Sequence, residues 1–363
     1  MRQEDPDFKT NLKRRQSRKI AVGKLAIGGD APISVQSMTK TQTSDVAATI
    51  TQILQLEEAG CDLVRVAVPD RPSAKALSQI KQQIHIPLVA DIHFDLRLAL
   101  LAIAAGVDKL RLNPGTISDP TQIWEVLRLA RDKNIPVRIG VNSGSIEHDL
   151  LVKYGQPCAA ALVESALRQI KMCEEVGFDL LVLSVKSSDV EMTIAAYEML
   201  AAKTDYPLHL GVTAAGTYGI GLIKSAIALG TLLRQGIGDT IRVSLSADPV
   251  LEVRAALDIL RTLGLNSAGL NLVSCPGCGR QQINLLPIIQ NFEAQMVSVR
   301  KPITVAIMGC AVNGPGEARE ADIGVACGRG KAVLFRRGVA CRTITPDRIV
   351  AELVAAVAEI DCA

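Results

Sequence analysis

Two kinds of strand opening alternate along the first two thirds of the chain, and they leave little choice of fold. In one, a helix-length segment ends in a glycine–aspartate turn before an aliphatic run: Gly60-Cys-Asp62 before LVRVAV, Gly106-Val-Asp108 before KLRLN, Gly177-Phe-Asp179 before LLVLSVK, and Gly236-Ile-Gly-Asp239 before TIRVSL. In the other, the run opens on proline: Pro87 before LVADIH, Pro136 before VRIGVN, Pro207 before LHLGVT. Glycine ends the preceding helix, and Asp or Pro opens the strand where a missing ladder bond is tolerated. With Ile33-Ser-Val-Gln-Ser-Met38 as the first strand, the rhythm yields eight β-then-α units in roughly 230 residues, the count and size of a TIM barrel. An open doubly wound sheet is the alternative, but no Gly-rich dinucleotide fingerprint accompanies the units, which favours closure.

The flanks read differently. Residues 1–18 are polar and basic and are expected to form a loose arm, followed by a short hairpin over Ile20–Ile27 and a turn at Gly28-Gly29-Asp30. After Leu263-Gly264 the rhythm stops. Residues 266–363 hold cysteine motifs, a strand at Ile303–Met308, a hairpin through Gly328–Val339 and an amphipathic helix from Pro346. The predicted class is therefore α/β, a TIM (β/α)8 barrel over residues 1–265 followed by a smaller α+β domain over residues 266–363. Hydrophobic residues make up 48% and aromatics only 3%, so the core must be aliphatic. A net charge of +3 is too small to argue for nucleic acid or an anionic membrane. No apolar run approaches the roughly 20 residues that span a bilayer. The first residues mix Glu4, Asp5 and Asp7 with basic side chains and lack the apolar stretch of a secretory signal. The expectation is a cytoplasmic protein without nucleic-acid or membrane partners.

Inward side chains of a barrel strand alternate with helix-facing ones, and barrel sites lie at the C-terminal strand ends. That period puts polar residues inside repeatedly. Asp91 and His93 share a face of the third barrel strand, Arg111 and Asn113 of the fourth, and Arg138, Gly140 and Asn142 of the fifth. His209, Gly211 and Thr213 do so on the seventh, and Arg242, Ser244 and Ser246 on the eighth, while Arg65 and Lys186 come from the second and sixth. Any one arginine is explained equally well by a salt bridge to a strand-end carboxylate. As a set, Arg65, Arg111, Arg138, Lys186 and Arg242 face a single inward carboxylate, Asp91. That imbalance predicts an anionic ligand, most economically one with phosphates, whose oxygens match guanidinium forks. His93, with Asp91 on the same face, is the candidate for acid–base work. His85 reads as a surface histidine, and the roles of His148 and His209 stay open.

Nine cysteines in such a chain point to metal or redox chemistry rather than disulfides. Cys61 and Cys173 sit in apolar helix-to-strand contexts and read as core residues; Cys158 opens a helix and Cys362 lies at the tail. Ser274-Cys275-Pro276-Gly277-Cys278-Gly279-Arg280 differs, because its spacing lets one tight turn aim two sulfurs at one site. Alone, it admits half a zinc ribbon, a redox dithiol or two ligands of a cluster. A ribbon wants a second close pair, yet Cys310, Cys327 and Cys341 are widely separated. A redox dithiol leaves unexplained the thiol of Gly309-Cys310-Ala311-Val312-Asn313-Gly314-Pro315-Gly316-Glu317. Three thiolates and one weaker oxygen ligand suit an iron–sulfur cluster with a labile iron. Glu317 is the expected fourth ligand and Cys327 its competitor. Since a labile iron is where substrate would be met, Glu317 joins His93 and Asp91 as a catalytic candidate.

These motifs together resemble the bacterial 4-hydroxy-3-methylbut-2-enyl diphosphate synthases of the non-mevalonate isoprenoid pathway. The likeness covers nearly the whole chain. It runs from Pro32-Ile-Ser-Val-Gln-Ser-Met-Thr39 through Val64-Arg-Val-Ala-Val-Pro69, Ala90-Asp-Ile-His-Phe-Asp95 and Leu110-Arg-Leu-Asn-Pro-Gly115. It continues through Arg138-Ile-Gly-Val-Asn-Ser-Gly-Ser145, Ser184-Val-Lys-Ser-Ser-Asp189 and Cys275-Pro-Gly-Cys278 to Asn313-Gly-Pro-Gly-Glu317. No large insert separates barrel from cluster domain, so the short bacterial form is the one resembled. The resemblance implies a 4Fe–4S cluster on Cys275, Cys278, Cys310 and Glu317. It implies reductive ring opening and dehydration of 2-C-methyl-D-erythritol 2,4-cyclodiphosphate, with two electrons from flavodoxin or ferredoxin. It also implies a homodimer in which one subunit's cluster domain closes over the other's barrel. Phosphate and hydroxyl contacts would come from Arg65, Arg111, Arg138 and Lys186 with Asn113, Asn142 and Ser274. One departure stands out: the family pattern Thr-Glu-Ala-Gly reads here Thr213-Ala214-Ala215-Gly216, with a looser match at Tyr218-Gly219-Ile220. The resemblance gives that Glu an active-site role in hydroxyl binding or proton handling, and Ala214 can supply neither. Two other classes compete, a phosphate- or pterin-type barrel enzyme with a structural zinc domain and a non-catalytic metal-dependent binding module.

Overall fold

The computed structural model describes residues 13–93, 95–113, 120–266, 268–296, 299 and 301–362. The chain divides into two compact units, Met1–Asn266 and Ser267–Ala363.

In the first unit, β1 (Ile20–Val22) and β2 (Leu25–Ile27) form the expected antiparallel hairpin. Its Val22 and Ile27 pack against Leu63 and Val89. Eight parallel strands follow: β3 (Ser34–Met38), β4 (Leu63–Ala67), β5 (Leu88–Ile92), β6 (Lys109–Leu112), β7 (Val137–Asn142), β8 (Leu181–Lys186), β9 (His209–Leu210) and β10 (Thr240–Ile241). Their order, β8-β7-β6-β5-β4-β3-β10-β9, is brought round by a parallel bridge from Leu183 to Leu208, so the TIM-barrel arrangement expected from the rhythm is present. Helices α1 (Val46–Glu58), α2 (Arg71–Lys81), α3 (Arg97–Ala104), α4 (Pro120–Asp132), α5 (His148–Tyr154), α6 (Ala159–Glu175), α7 (Val190–Ala201), α8 (Tyr218–Arg234) and α9 (Pro249–Thr262) lie between and after the strands. The core between strands and helices is aliphatic, with Val66, Leu77, Leu110, Leu127, Ile139 and Leu183 among its buried members. The last two strands are shorter than their apolar runs. Beyond two residues each the backbones leave the ladder, although the Arg242 N–H still donates to the Leu210 carbonyl at 3.0 Å.

The strand-opening aspartates are more than tolerated. Asp62 accepts the Val35 N–H at 2.7 Å, Asp108 the Leu88 N–H at 2.7 Å and Asp239 the Leu208 N–H at 2.8 Å. Each carboxylate thus satisfies a donor at the start of the preceding strand, a group that would otherwise be buried unpaired. A second set of aspartates caps helices: Asp45, Asp70, Asp189 and Asp248 accept from Ala48, Ser73, Met192 and Val250.

The reading of residues 1–18 as a loose arm is corrected from Arg14 onward; residues 1–12 lie outside the described residues. Asp239, buried at a strand opening, draws the segment in. Its Oδ1 accepts from Ser17 Oγ at 2.7 Å and Arg14 Nη2 at 3.2 Å, and Arg15 lies 3.7 Å from its Oδ2. Arg15 also donates to the carbonyls of Thr204 and Tyr206, and Arg18 stacks on the Tyr206 ring, 4.1 Å from its centroid. A basic stretch looks solvated in sequence, but here its partners lie some 190 to 225 positions away.

The second unit is built on β11 (Leu270–Ser274), β12 (Ile303–Met308), β13 (Ile323–Gly328), β14 (Lys331–Arg336) and β15 (Val339–Ile344), hydrogen-bonded in that order. The first three run parallel and the last two are added antiparallel, so the expected hairpin extends into a meander. Helices α10 (Leu285–Gln295) and α12 (Ile349–Cys362) cover one face, where Phe292, Leu353 and Val357 join Val305, Ile307 and Val325. The short α11 (Gly314–Glu320) lies on the other, with Ala318 against Ala326 and Phe335. Among the described residues no helix is long and apolar enough to cross a membrane.

Removing the charge at Asp239 tests the docked arm. Asp239→Asn is expected to lower the unfolding free energy by about 2–3 kcal/mol, less than for a fully buried pair because Arg14 keeps some solvent. Urea denaturation reads this as a lower midpoint; an unchanged midpoint would mean that the arm contributes nothing.

Candidate functional site

The inward faces of the barrel strands gather the charged residues as period two predicts. Asp91 on β5 accepts from Arg111 Nη1 on β6 at 3.0 Å and lies 3.7 Å from Arg65 Nε on β4. His93 Nε2 is 3.4 Å from Asp91 Oδ1 and 2.6 Å from Arg111 Nη1. A guanidinium can only donate, so the shorter contact makes Nε2 the acceptor and puts the imidazole proton on Nδ1. Arg138 on β7 donates to Ser184 Oγ at 2.7 Å, while its Nε and Nη2 are buried without a partner. Met38 accepts at its sulfur from Arg65 at 3.1 Å and from Arg242 at 3.6 Å. Asn113 Oδ1 accepts from Ser145 Oγ at 3.5 Å, in the turn that follows half-buried Asn142.

Two glycines make room for this crowd. A Cβ on Gly140 would sit 2.9 Å from Arg111 Nε, and one on Gly211 would sit 2.6 Å from Lys186 Nζ. Gly140 in β7 and Gly211 just past β9 thus lie where long cationic side chains cross.

Burial alone would raise the Asp91 carboxyl, but Arg65 and Arg111 hold it well below the ordinary carboxylate range. Burial and the neighbouring guanidinium groups push the amine of Lys186 well down. His209, undecided in sequence, is fully buried inside the ring with its Nδ1 3.4 Å from Thr240 Oγ1, and burial with Lys186 and Arg138 holds it far below an ordinary histidine. His85 lies on the surface against Glu57, as expected.

Two residues escaped the reading of the sequence. Lys109, fully buried with no partner for its Nζ, shares the inward parity of Arg111 and Asn113 and was available to the same period-two argument. Glu252 corrects the statement that Asp91 is the only carboxylate available to these cations. It sits on α9, outside any strand parity, is 2% exposed, and meets Arg242 at 3.5 Å and Lys40 at 3.3 Å while accepting the Leu245 N–H at 2.9 Å. Even with both acids the described cations outnumber the carboxylates.

In the second unit the thiols share one end of the sheet. Cys275 follows the last residue of β11 and Cys310 lies two residues past β12, its parallel neighbour. Gln282 N–H donates to the Gly309 carbonyl at 3.0 Å, tying the Cys-Pro-Gly-Cys loop to the turn that carries Cys310. The Cys275 sulfur accepts the Gly277 N–H at 3.4 Å. Backbone N–H groups of Asn313, Val312 and Gly314, with Arg280, lower the Cys310 thiol, as a thiolate ligand requires. Cys278 is exposed, as are Glu317 on α11 and Ser274. Cys327 instead points into the aliphatic face, where burial and the nearby Cys275 push it up to about 12. Cys61 and Cys173, read as core residues, are likewise buried and pushed up to about 12 by burial. Among the described residues no three His, Cys, Asp or Glu side chains converge as they would on a single ion. A cluster with one iron per corner asks less, because each ligand meets its own iron, and the donor set fits such a group.

The depressed Asp91 carboxyl gives a pH signature. Its stabilisation is fully present above the unfolded carboxylate value of about 3.9 and is lost as pH falls below it toward the lower folded value. Stability measured by denaturant from pH 7 to pH 2 is expected to fall less steeply in this acid limb for Asp91→Asn than for the wild type. Parallel acid limbs would remove Asp91 from the balance.

Family models match both units, the GcpE TIM-barrel domain over residues 17–257 and the GcpE protein C-terminal domain over residues 271–359. The chain is 53% identical over 345 residues to the 4-hydroxy-3-methylbut-2-en-1-yl diphosphate synthase (flavodoxin) of Geobacter sulfurreducens, covering 95% of this chain and 98% of that protein. It is 52% identical to the protein of the same description from Clostridium perfringens, covering 94% and 98%. The barrel also resembles, in fold alone, a dihydropteroate synthase from Xanthomonas albilineans, at 16% identity and a TM-score of 0.50 over 68% of this chain and 98% of that one. With both units matched in order, and relatives alike over nearly their full length, the chain belongs to the GcpE family.

Proposed function

We propose that the chain catalyses the reductive ring opening and dehydration of 2-C-methyl-D-erythritol 2,4-cyclodiphosphate to 4-hydroxy-3-methylbut-2-enyl diphosphate, with electrons from flavodoxin or ferredoxin. The observation that carries this reading is that, among the described residues, Arg65, Lys109, Arg111, Arg138, Lys186 and Arg242 crowd the lumen, while Asp91 and Glu252 pair with only Arg65, Arg111 and Arg242 of them, in a chain of this family. Arg65, Arg111, Arg138 and Lys186 bind the two phosphoryl groups, and Asn113, Asn142 and Ser274 supply neutral hydrogen bonds to phosphate and hydroxyl oxygens. Asp91 holds Arg65 and Arg111 in place before the ligand arrives. His93, whose Nε2 accepts from Arg111, is the group in the set suited to moving a proton. Cys275, Cys278, Cys310 and Glu317 are the residues that would hold a 4Fe–4S cluster, which when bound would relay the donor's two electrons and offer a Lewis-acidic iron. Cys327 is buried in the aliphatic face of the sheet while Glu317 is exposed, which supports Glu317 over Cys327 as the fourth ligand. The working form in this reading is a homodimer.

Protein purified without oxygen is expected to contain iron and acid-labile sulfide, to run as a dimer in light scattering, and to turn over the cyclodiphosphate with a reductant. Cys310→Ser should lose the cluster and Cys327→Ser keep it. Zinc without acid-labile sulfide would remove the cluster reading, and loss of iron only in Cys327→Ser would reassign the fourth ligand.

The loop after β9 sets how fast the reaction runs. Ala214 is exposed there with a left-handed backbone (φ +49°), and residues 211–217 contain no acid. Glu252 is no substitute, since Arg242, Lys40 and the Leu245 N–H already engage it. Ala214→Glu is therefore expected to raise turnover by about 100-fold, the scale of one positioned acid or base. Full activity in the wild type with no gain in the variant would sink this.

A further inference from the structure

Lys109 is a buried amine that the binding scheme above does not use. It opens β6, is 0% exposed, and its Nζ has no hydrogen-bond partner among the described residues. The groups of the ring that act on one another around it come from every neighbouring strand: Arg65 from β4, Asp91 from β5, Arg111 from β6 itself, Arg138 from β7, Lys186 from β8, His209 from β9 and Arg242 following β10. From β3, Gln36 is equally buried and neither of its amide atoms is bonded. Asp91 is committed to Arg65 and Arg111, and Glu252 to Arg242 and Lys40, so neither carboxylate is left to balance Lys109. The Nζ itself is buried away from bulk solvent. A guanidinium keeps its proton under such crowding, whereas an amine can release one. Of the two lysines in the ring, Lys186 keeps some exposure (8%) whereas Lys109 is wholly buried and its Nζ unbonded, so the charge in excess is shed by Lys109, in line with the direction in which burial, Arg138 and Arg65 drive it.

We propose that Lys109 is neutral in the empty barrel and takes up a proton from solvent when a polyanion occupies the lumen, so that anion binding is linked to protonation at this position. The inference rests on the reading of the lumen as the diphosphate site. It adds that Lys109 sets the charge of that site, acting through the field inside the barrel and not by touching the ligand. The entering anion cancels the repulsion from Arg65 and Arg138, and the amine then gains more by being charged than it loses by being buried. Because the cation is made only when the anion is present, the free protein avoids an uncompensated charge.

Sulfate is a suitable probe, since it carries no titratable proton near neutral pH. Calorimetric titration of the cluster-loaded protein with sulfate at pH 8, in buffers of different ionisation enthalpy, counts the protons exchanged. The wild type is expected to take up about one proton more per sulfate than Lys109→Met, whose side chain keeps the length without the amine. Equal proton counts would overturn the assignment, as would loss of the uptake in His209→Asn with retention in Lys109→Met. Should Lys109→Met fail to fold, Lys109→Gln takes its place with the same expected loss of one proton, and the wild type alone can still refute the linkage. Its sulfate affinity should fall by about tenfold per pH unit above neutrality, and a flat profile overturns the proposal. Sulfate binding needs no turnover, so failure to convert the cyclodiphosphate would refute the proposed reaction without altering the proton count.

Discussion

The barrel depends on an unbalanced electrostatic account inside its ring of strands. Barrel interiors are usually filled by branched aliphatic side chains in layers. Here Arg65, Lys109, Arg111, Arg138, Lys186 and Arg242 occupy that space with Asp91, and Glu252 reaches the same cations from α9. Such an interior is costly without a ligand, and its features reduce the cost locally. Asp91 is shared between the guanidinium groups of Arg65 and Arg111, the Met38 sulfur accepts from Arg65 and Arg242, and Gly140 and Gly211 free the volume the cations cross. Stability is supplied elsewhere, by the aliphatic layer between strands and helices and by the carboxylates that stitch the strand starts.

The second unit solves a different problem with similar economy. In the cluster site proposed for this unit, a thiolate ligand must be both deprotonated and reachable. Cys310 is lowered by three backbone N–H groups of its own turn, while Cys278 and Glu317 are open to solvent. Cys327, one strand over, is buried and held protonated. Parallel pairing of β11 with β12 puts two loops distant in sequence at one sheet end, and one hydrogen bond from Gln282 to Gly309 joins them. Following the second loop, α11 carries Glu317 and packs through Ala318 against Ala326 and Phe335.

Much of this was legible in the residues because strand parity is a local rule. Asp91, Arg111, Asn113, Arg138 and Asn142 fell on the inward face by counting twos, and Lys109 would have fallen there too had the count begun two residues earlier. Glu252 was not legible. It lies on a helix, where period two says nothing, and it reaches Arg242 because α9 packs beside β3 and the run after β10. The basic arm misled for the opposite reason: its charges look solvated unless Asp239, Thr204 and Tyr206 are known to be adjacent.

By itself the sequence determined the alternation of strands and helices, the closed barrel with a second α+β unit, the inward set of cations and the spacing of the thiols. All of these follow from periodicity, turn chemistry and composition, which act over a few residues. Only the tertiary structure decided which cations are balanced, that Lys109 is not, that Glu252 is committed, and that the Cys310 thiol is lowered while that of Cys327 is raised. Those outcomes depend on distance and dielectric between residues far apart in the chain, and no local pattern records either.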